Sequence, residues 1–292
     1  MKARPILFGL GAIGLWSTNA VVAKHALAVL SVAQVQCLQF AGAAAVFALL
    51  RARNGGYGTP IPRADAMAVG LVGLVGTMVF QYLAFASGPI AVVNLLAYAW
   101  PLLTALIVVG GGRSAYPGRL AVASLAGFVG VALLIGGSPA NDGMVPGQAW
   151  AGYGFAAASA VCMAAYSVGV SGVRSSPADV LLPASLAGLA GTAIWWAATS
   201  AGTPSLSGAA MGLYLGIGPM GLGYVLWSYA MRGGAVGAMS TLGYATPVLS
   251  TSWLIASGEP LTARALAGGL LIVAACVAAG LYRRERSVDD TA

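Results

Sequence analysis

Charged residues are scarce in this chain. Only 7% of its 292 residues are Asp, Glu, Lys or Arg, whereas 59% are hydrophobic. A soluble domain carries roughly 25% charged residues, so this chain cannot build a folded surface that faces water. The scarcity excludes a soluble domain, and it predicts a membrane protein that is surrounded by the lipid bilayer.

Acidic residues are scarcer still, and we place none of the seven inside an apolar stretch. Many proton-coupled carriers use a carboxylate within the membrane, so its absence disfavours classical proton coupling and a cationic drug as the main substrate. Phosphorylated solutes would need several buried Lys or Arg, and only Lys24 comes close. These absences favour a neutral or zwitterionic solute.

Histidine and cysteine are also rare. His25 is the single histidine, and Cys37, Cys162 and Cys276 lie in separate apolar stretches without metal-ligand spacing. We therefore expect no metal, no cofactor and no disulfide, with the cysteines packing as small apolar residues. An intramembrane enzyme would need a nucleophile with a base, or a metal cluster, so we predict that the protein is not an enzyme.

Long apolar runs are what the chain has in abundance. A membrane-spanning helix needs about 20 apolar residues, and ten stretches come close to this length, joined by short links. We predict an all-α polytopic membrane protein with ten transmembrane helices. The stretches lie near 5–25, 32–50, 66–86, 90–110, 118–137, 150–171, 180–200, 208–230, 235–256 and 264–282.

The basic residues predict the orientation of the chain. If the N-terminus is inside, only Lys24 and Arg264 of the fourteen Lys and Arg residues fall outside. Positive charge concentrates on the cytoplasmic side of membrane proteins, so we expect both termini in the cytoplasm. The net charge of +7 is then a topology signal, and we expect no nucleic-acid partner.

The second half of the sequence repeats the first at an offset of 146, half of the 292 residues. Tyr98-Ala99-x-Pro101-x-Leu103 falls on Tyr244-Ala245-x-Pro247-x-Leu249 without a gap. We predict two five-helix repeats, 1–146 and 147–292, in one transport domain, with a linker at 136–143. An odd number of spans per repeat inverts the second one, as in many secondary transporters around a central cavity.

Proline marks three candidate hinges. Pro101 and Pro247 lie near the middle of stretches four and nine, and Pro219 lies within stretch eight. A proline removes one N–H and pushes away the carbonyl four residues before it, so we expect free carbonyls at Ala97 and Gly243. Such carbonyls are tolerated beside a water-filled cavity. The alternative is that both prolines cause kinks without a function, with the free carbonyls hydrogen-bonded by Ser or Thr. A receptor or structural role would leave the symmetric pair of prolines unexplained.

Aromatic residues accompany these prolines. Tyr98 and Tyr244 each precede their proline by three residues and share its helix face. With Trp100 and Tyr166 they lie deep in the predicted membrane, where they favour a cavity wall over an interfacial anchor.

Polar residues of the first stretch leave two alternatives open. Asn19 is either a substrate contact or a hydrogen bond between helices. Lys24 and His25, near the outer end, are candidates for a polar gate, although Lys24 can also extend to the interface.

These features together resemble the EamA-type drug/metabolite transporter superfamily. The resemblance is carried by ten spans in two inverted halves, by Trp16-Ser17-x-Asn19 followed by Lys24, and by the prolines of spans four and nine. Within the superfamily the chain is most similar to the branch that exports aromatic amino acids. Ser17 stands where the family usually has glycine after tryptophan, and Cys162 stands where Trp16 would repeat.

The resemblance implies export of amino acids, preferentially aromatic and other neutral ones, by alternating access. It also implies a central cavity between the halves, lined mainly by spans one, three, four, six, eight and nine. An exporter of broad specificity for other neutral metabolites or drugs is the alternative, and the sequence leaves a monomer and a homodimer equally open. The implied cavity residues are Trp16, Asn19, Tyr82, Tyr98, Trp100, Met163, Tyr166 and Tyr244.

Overall fold

The structure is a computed structural model that describes residues 4–53, 63–88, 90–135, 146–199, 202–233, 235–256 and 263–281. Within these residues every regular element is helical and there is no β-strand. The prediction of an all-α protein is confirmed. The expected linker at 136–143 lies outside the described residues.

Seven helices among the described residues are long and apolar enough to cross a bilayer, which confirms a multi-pass membrane protein. Two shorter apolar helices, Pro117–Leu133 and Leu266–Ala279, fall within two further predicted stretches. The predicted stretch 235–256 is helical but interrupted. The seven are Arg4–Leu27, Val32–Arg53, Ala64–Ser87, Val93–Gly110, Trp150–Gly172, Pro177–Ala197 and Leu206–Gly233.

The helices are numbered in chain order, and two short π-helical segments interrupt them. In the first half they are α1 (Arg4–Ser17), α2 (Asn19–Leu27), α3 (Val32–Arg53), α4 (Ala64–Gly70), the first π segment (Leu71–Gly76), α5 (Thr77–Ser87), α6 (Ile90–Ala97), α7 (Trp100–Gly110) and α8 (Pro117–Ile135). In the second half they are α9 (Pro146–Gly172), α10 (Pro177–Ala197), α11 (Leu206–Leu215), the second π segment (Gly216–Leu222), α12 (Gly223–Gly233), α13 (Val236–Leu242), α14 (Ala245–Ala256) and α15 (Ala263–Leu281).

The sequence offset of 146 reappears in these bounds. Adding 146 to the ends of α5 gives 223 and 233, which are the ends of α12, and the same operation on α8 gives the ends of α15. The two π segments correspond within one residue. The repetition in sequence is therefore matched by a repetition in local structure.

Packing follows the same correspondence. Helix α1 packs along α12 and α5 along α9, while α3 packs on α10 and α8 on α15. Small residues allow close approach where helices cross: a Cβ atom added to Gly130 of α8 would lie 3.0 Å from the Gly268 carbonyl oxygen of α15. A core of buried aromatic, methionine and aliphatic side chains joins the two halves.

One pair of contacts breaks the correspondence. Helix α7 packs on α13, but the equivalent pair, α14 and α6, shows no comparable packing among the described residues. At the packed end, the Gly243 backbone lies against the Trp100 ring, and Ser240 Oγ lies 3.5 Å from the Pro101 carbonyl oxygen. The molecule is therefore tighter where α7 meets α13 than where α6 faces α14.

Pro101 and Pro247 lie at helix starts rather than within continuous helices, whereas Pro219 lies inside the second π segment. Pro101 is the second residue of α7, where its missing N–H costs nothing, and Pro247 lies in the first turn of α14. The expectation of a free Gly243 carbonyl is wrong, because it accepts a 3.1 Å hydrogen bond from the Thr246 amide. The chain breaks its helix just before the proline, and a tight turn uses this carbonyl.

Candidate substrate cavity

A cavity opens between the two halves, at the level of the helix breaks. It offers about 80 Å³ to the centres of water molecules, room for several of them. Its wall combines aromatic, methionine and neutral polar side chains. The lining residues are Trp16, Asn19, Thr77, Met78, Gln81, Ala97, Tyr98, Trp100, Ser159, Met163, Pro219, Met220, Tyr224 and Thr246.

Trp16 is the centre of an aromatic cluster on this wall. Its ring centroid lies 6.4 Å from that of Trp100 and 6.0 Å from that of Tyr224, both in edge-to-face geometry. Trp227 lies behind the lining residues, 5.1 Å from Trp16 and 5.3 Å from Trp100. Edge-to-face contacts of this kind stabilise aromatic groups beyond their buried area, so the cluster forms a firm wall for an apolar or aromatic solute.

The position of Trp16 is fixed by the second π segment. Its indole Nε1 donates a 2.9 Å hydrogen bond to the carbonyl oxygen of Pro219. A Cβ atom at Gly223 would come within 2.7 Å of the same nitrogen, so only glycine leaves room for the indole there. The two halves are thus joined directly at the cavity wall.

Several neutral polar side chains line the cavity without a hydrogen-bond partner among the described residues. Among the described residues, Asn19, Gln81 and Tyr98 form no side-chain hydrogen bond, and the buried Thr246 hydroxyl has none either. A buried polar group without a partner costs about 1–3 kcal/mol. Such groups persist where a ligand or water satisfies them, so these side chains indicate a site for polar groups of a solute.

Among the described residues, no charged side chain lines this cavity. Lys24 and His25, the predicted polar gate, are both exposed on α2 and lie outside the wall. The described residues also contain no cluster of three His, Cys, Asp or Glu that could hold a metal ion. The described wall therefore presents aromatic surface and neutral hydrogen-bonding groups only.

Five predicted cavity residues lie together on this wall: Trp16, Asn19, Tyr98, Trp100 and Met163. Of the predicted hinges, Pro219 also lines it, whereas Pro101 and Pro247 do not. Tyr82 is fully buried beside α3, where its hydroxyl accepts a 3.0 Å hydrogen bond from Gln39 Nε2.

The remaining two predicted residues are buried in helix contacts. The Tyr166 hydroxyl lies 2.7 Å from Ser228 Oγ, and the Tyr166 ring packs against Gly73 of the first π segment. Tyr244 is fully buried with its ring against Gly127 of α8. All three buried tyrosines are separate from the lining residues of the cavity.

The sequence analysis missed part of the wall. A signal was available in helical spacing, since residues four apart share a face: Ser159 precedes Met163 by four. Two further pairs with the same spacing are Thr77 with Gln81 and Met220 with Tyr224. Thr246 and Met78 carry no comparable signal.

Comparisons with known proteins agree on one family. The model of the EamA-like transporter family matches residues 150–281. A protein of Ancylobacter novellus named aromatic amino acid exporter YddG is 33% identical over 291 residues, covering 97% of this chain and 99% of the relative. A solved crystal structure is similar over 96% of this chain and 99% of its own, with a TM-score of 0.85 and 28% identity.

Proposed function

This chain belongs to the EamA-type drug/metabolite transporter family, and from that premise we propose that it exports amino acids, preferentially aromatic and other neutral ones, across a bacterial inner membrane. The relative from Ancylobacter novellus carries the name of an aromatic amino acid exporter. Its alignment spans nearly the whole of both chains. That name and that coverage support the same class of substrate here.

The cavity wall is the observation that carries the proposal. Trp16, Trp100 and Tyr224 offer aromatic faces, while Asn19 and Gln81 offer unpaired amide groups. An aromatic amino acid has one apolar ring and two polar groups, so the ring packs on the aromatic faces and the polar groups meet the amides and hydroxyls. A zwitterion brings both charges of its own and needs no buried ion from the protein.

Alternating access is part of the proposal. The matched bounds of α5 with α12 and of α8 with α15 support two five-helix repeats, 1–146 and 147–292. The odd number of spans in each repeat would invert the second, and the distribution of Lys and Arg supports cytoplasmic termini. The packed α7–α13 pair and the open α6–α14 pair support a state that is closed at one end. Exchanging these two arrangements moves the cavity opening to the opposite side of the membrane.

The test is flux through purified protein in liposomes. Labelled phenylalanine or tryptophan is loaded, and wild type is compared with Tyr98→Ala and Tyr98→Phe. We expect saturable flux that other aromatic amino acids compete with, and that Tyr98→Ala abolishes. Tyr98→Phe keeps the ring and removes the unpaired hydroxyl, so its flux is intermediate.

A matched control is Tyr229→Phe, on an exposed tyrosine outside the cavity wall, which keeps wild-type flux. Absence of flux for every amino acid, in a protein shown by thermal unfolding to be folded, would overturn the assignment to amino acids.

Broad specificity is the second candidate, and one observation favours it. Met78, Met163 and Met220 all line the cavity, and methionine adapts its shape to different ligands. A panel of neutral metabolites and drugs, tested by competition in the same liposomes, separates the two. Equal competition across the panel supports a broad exporter, whereas competition confined to amino acids contradicts it.

A further inference from the structure

In each π segment, one backbone carbonyl does not accept the hydrogen bond that the amide four residues later would donate to it in an α-helix. In an α-helix the amide of Gly223 would bond the carbonyl of Pro219, but it bonds Gly218 instead. After the first π segment, the amide of Thr77 bonds Leu74, three residues back, and so also leaves out Gly73, its α-helical partner. Gly73 and Pro219 are 146 residues apart, so the repeat places both carbonyls at equivalent positions.

Each of these carbonyls accepts a hydrogen bond from an aromatic side chain of the opposite half. Tyr224 Oη donates to the Gly73 oxygen at 3.4 Å, and Trp16 Nε1 donates to the Pro219 oxygen at 2.9 Å. Only Pro219 lines the cavity, whereas Gly73 lies under the Tyr166 ring. Pro219 therefore belongs to the cavity wall, and its carbonyl accepts a hydrogen bond from the Trp16 indole.

A second acceptor lies in the same wall. Thr246 is 2% exposed, and its hydroxyl has no hydrogen-bond partner among the described residues. Threonine oxygen accepts as readily as it donates. The described lining contains no carboxylate. Besides the amide oxygens of Asn19 and Gln81, it thus offers the Pro219 carbonyl and the Thr246 hydroxyl as neutral oxygen acceptors for a cationic group.

We propose that the Pro219 carbonyl and the Thr246 hydroxyl bind the ammonium group of the substrate, and that this group displaces the indole N–H of Trp16 from Pro219. The inference rests on the proposed function and defines where the amino end of an amino acid lies. Carbonyls released from broken helices bind cations at the midplane of other transporters. An ammonium group donates three hydrogen bonds and carries charge, so it forms the stronger bond to this carbonyl.

The first test uses two analogues of phenylalanine that each lack one polar group. Inhibition of labelled phenylalanine flux is measured in liposomes with 2-phenylethylamine, which keeps the amine, and with 3-phenylpropanoate, which keeps the carboxylate. The amine competes and the carboxylate competes poorly. Equal competition, or stronger competition by the carboxylate, overturns the subsite.

Trp16→Phe and Thr246→Val move this competition in opposite directions. Trp16→Phe keeps an aromatic ring but removes the N–H that occupies Pro219, so 2-phenylethylamine inhibits at about fivefold lower concentration, as expected for one neutral hydrogen bond. Thr246→Val removes an acceptor without changing shape, so inhibition needs about fivefold higher concentration, and Thr246→Ser restores it. No shift in either variant overturns the proposal.

Trp227→Phe is the matched control. It removes an indole N–H of the same cluster, which donates at 3.1 Å to Ser167 and not to a lining residue. In Trp227→Phe, the ratio of the inhibition constants of 2-phenylethylamine and 3-phenylpropanoate stays at the wild-type value. If the wild-type protein shows neither phenylalanine flux nor any binding, the proposed function itself is overturned. If flux is intact and both analogues compete equally, only the ammonium subsite is overturned.

Discussion

The hydroxyl group of Tyr166 separates a structural role from a substrate contact. Its 2.7 Å hydrogen bond to Ser228 is buried, and it lies outside the cavity wall. We predict that Tyr166→Phe lowers the free energy of unfolding by about 0.5–1.5 kcal/mol, the contribution of one buried hydrogen bond. Thermal unfolding in detergent measures the loss, and liposome flux shows an unchanged KM for phenylalanine. A KM raised about tenfold or more would instead place Tyr166 in contact with the substrate.

Gly73 is a residue at which an added methyl group has no room. A Cβ atom there would enter the Tyr166 ring, with the Tyr166 Cβ at 2.6 Å. We predict that Gly73→Ala destabilises the protein by about 1–3 kcal/mol, the usual cost of overpacking, measured as a lower Tm. Gly154→Ala is the control, since α9 leaves open space at that position, and alanine there stabilises the helix by up to about 1 kcal/mol. Equal Tm values for both variants would contradict the packing described.

Individual residues also show which part of the cavity can be predicted from the sequence. Trp16, Asn19 and Tyr98 were found from their depth and from the family resemblance, and they line the cavity. On α5, however, Gln81 lines it while its neighbour Tyr82 bonds Gln39 on α3. Adjacent residues point about 100° apart on a helix. Choosing between them requires the rotation of the helix about its axis, which residue type does not give.

The first π segment explains why the rotation of α5 about its axis could not be predicted from the sequence. A π turn contains one more residue than an α turn, which rotates the helix after it by about 100° relative to an uninterrupted helix. The first π segment precedes α5, and the second precedes α12. The faces of α5 and α12 therefore depend on turns whose glycine-rich sequences also fit a continuous α-helix.

The helix breaks at Pro101 and Pro247 lead to a prediction about the four helices that they separate. We expect Pro101→Ala with Pro247→Ala to favour joining α6 to α7 and α13 to α14, and to slow phenylalanine exchange about tenfold, equivalent to about 1.4 kcal/mol on the barrier. Folding is preserved, because Pro101 lies where proline and other residues are equally tolerated. Liposome exchange and thermal unfolding check both parts.

Pro183→Ala is the matched control, because Pro183 lies inside α10 and outside the cavity wall. It changes Tm without slowing exchange. Wild-type exchange in the double variant would show that these breaks do not serve as hinges.

At the scale of the whole molecule, composition and repetition were sufficient for the fold class. The low content of charge predicts a helical membrane protein, and the offset of 146 is matched by the bounds of α5 with α12. The unequal packing of α7–α13 and α6–α14 was not predictable. The two repeats have similar sequences at these helices, so the sequence does not specify which of the two pairs packs closely.

The neutral cavity predicts how transport responds to pH. The described lining contains no histidine, carboxylate or cysteine that would change charge between about pH 5 and 8. We expect phenylalanine exchange, measured with equal pH on both sides of the liposome, to stay flat over this range. A proton gradient then leaves accumulation unchanged. Accumulation that follows the gradient would require a titrating group elsewhere on the transport path.

The tryptophan cluster gives this molecule an optical signal of its own. Trp16, Trp100 and Trp227 hold their ring centroids 5.1–6.4 Å apart, close enough for their electronic transitions to couple. Two of these chromophores, Trp16 and Trp100, line the cavity. Near-ultraviolet circular dichroism and intrinsic fluorescence of the unlabelled protein therefore report each change in the cavity wall in real time, so occupancy can be followed without attaching a dye.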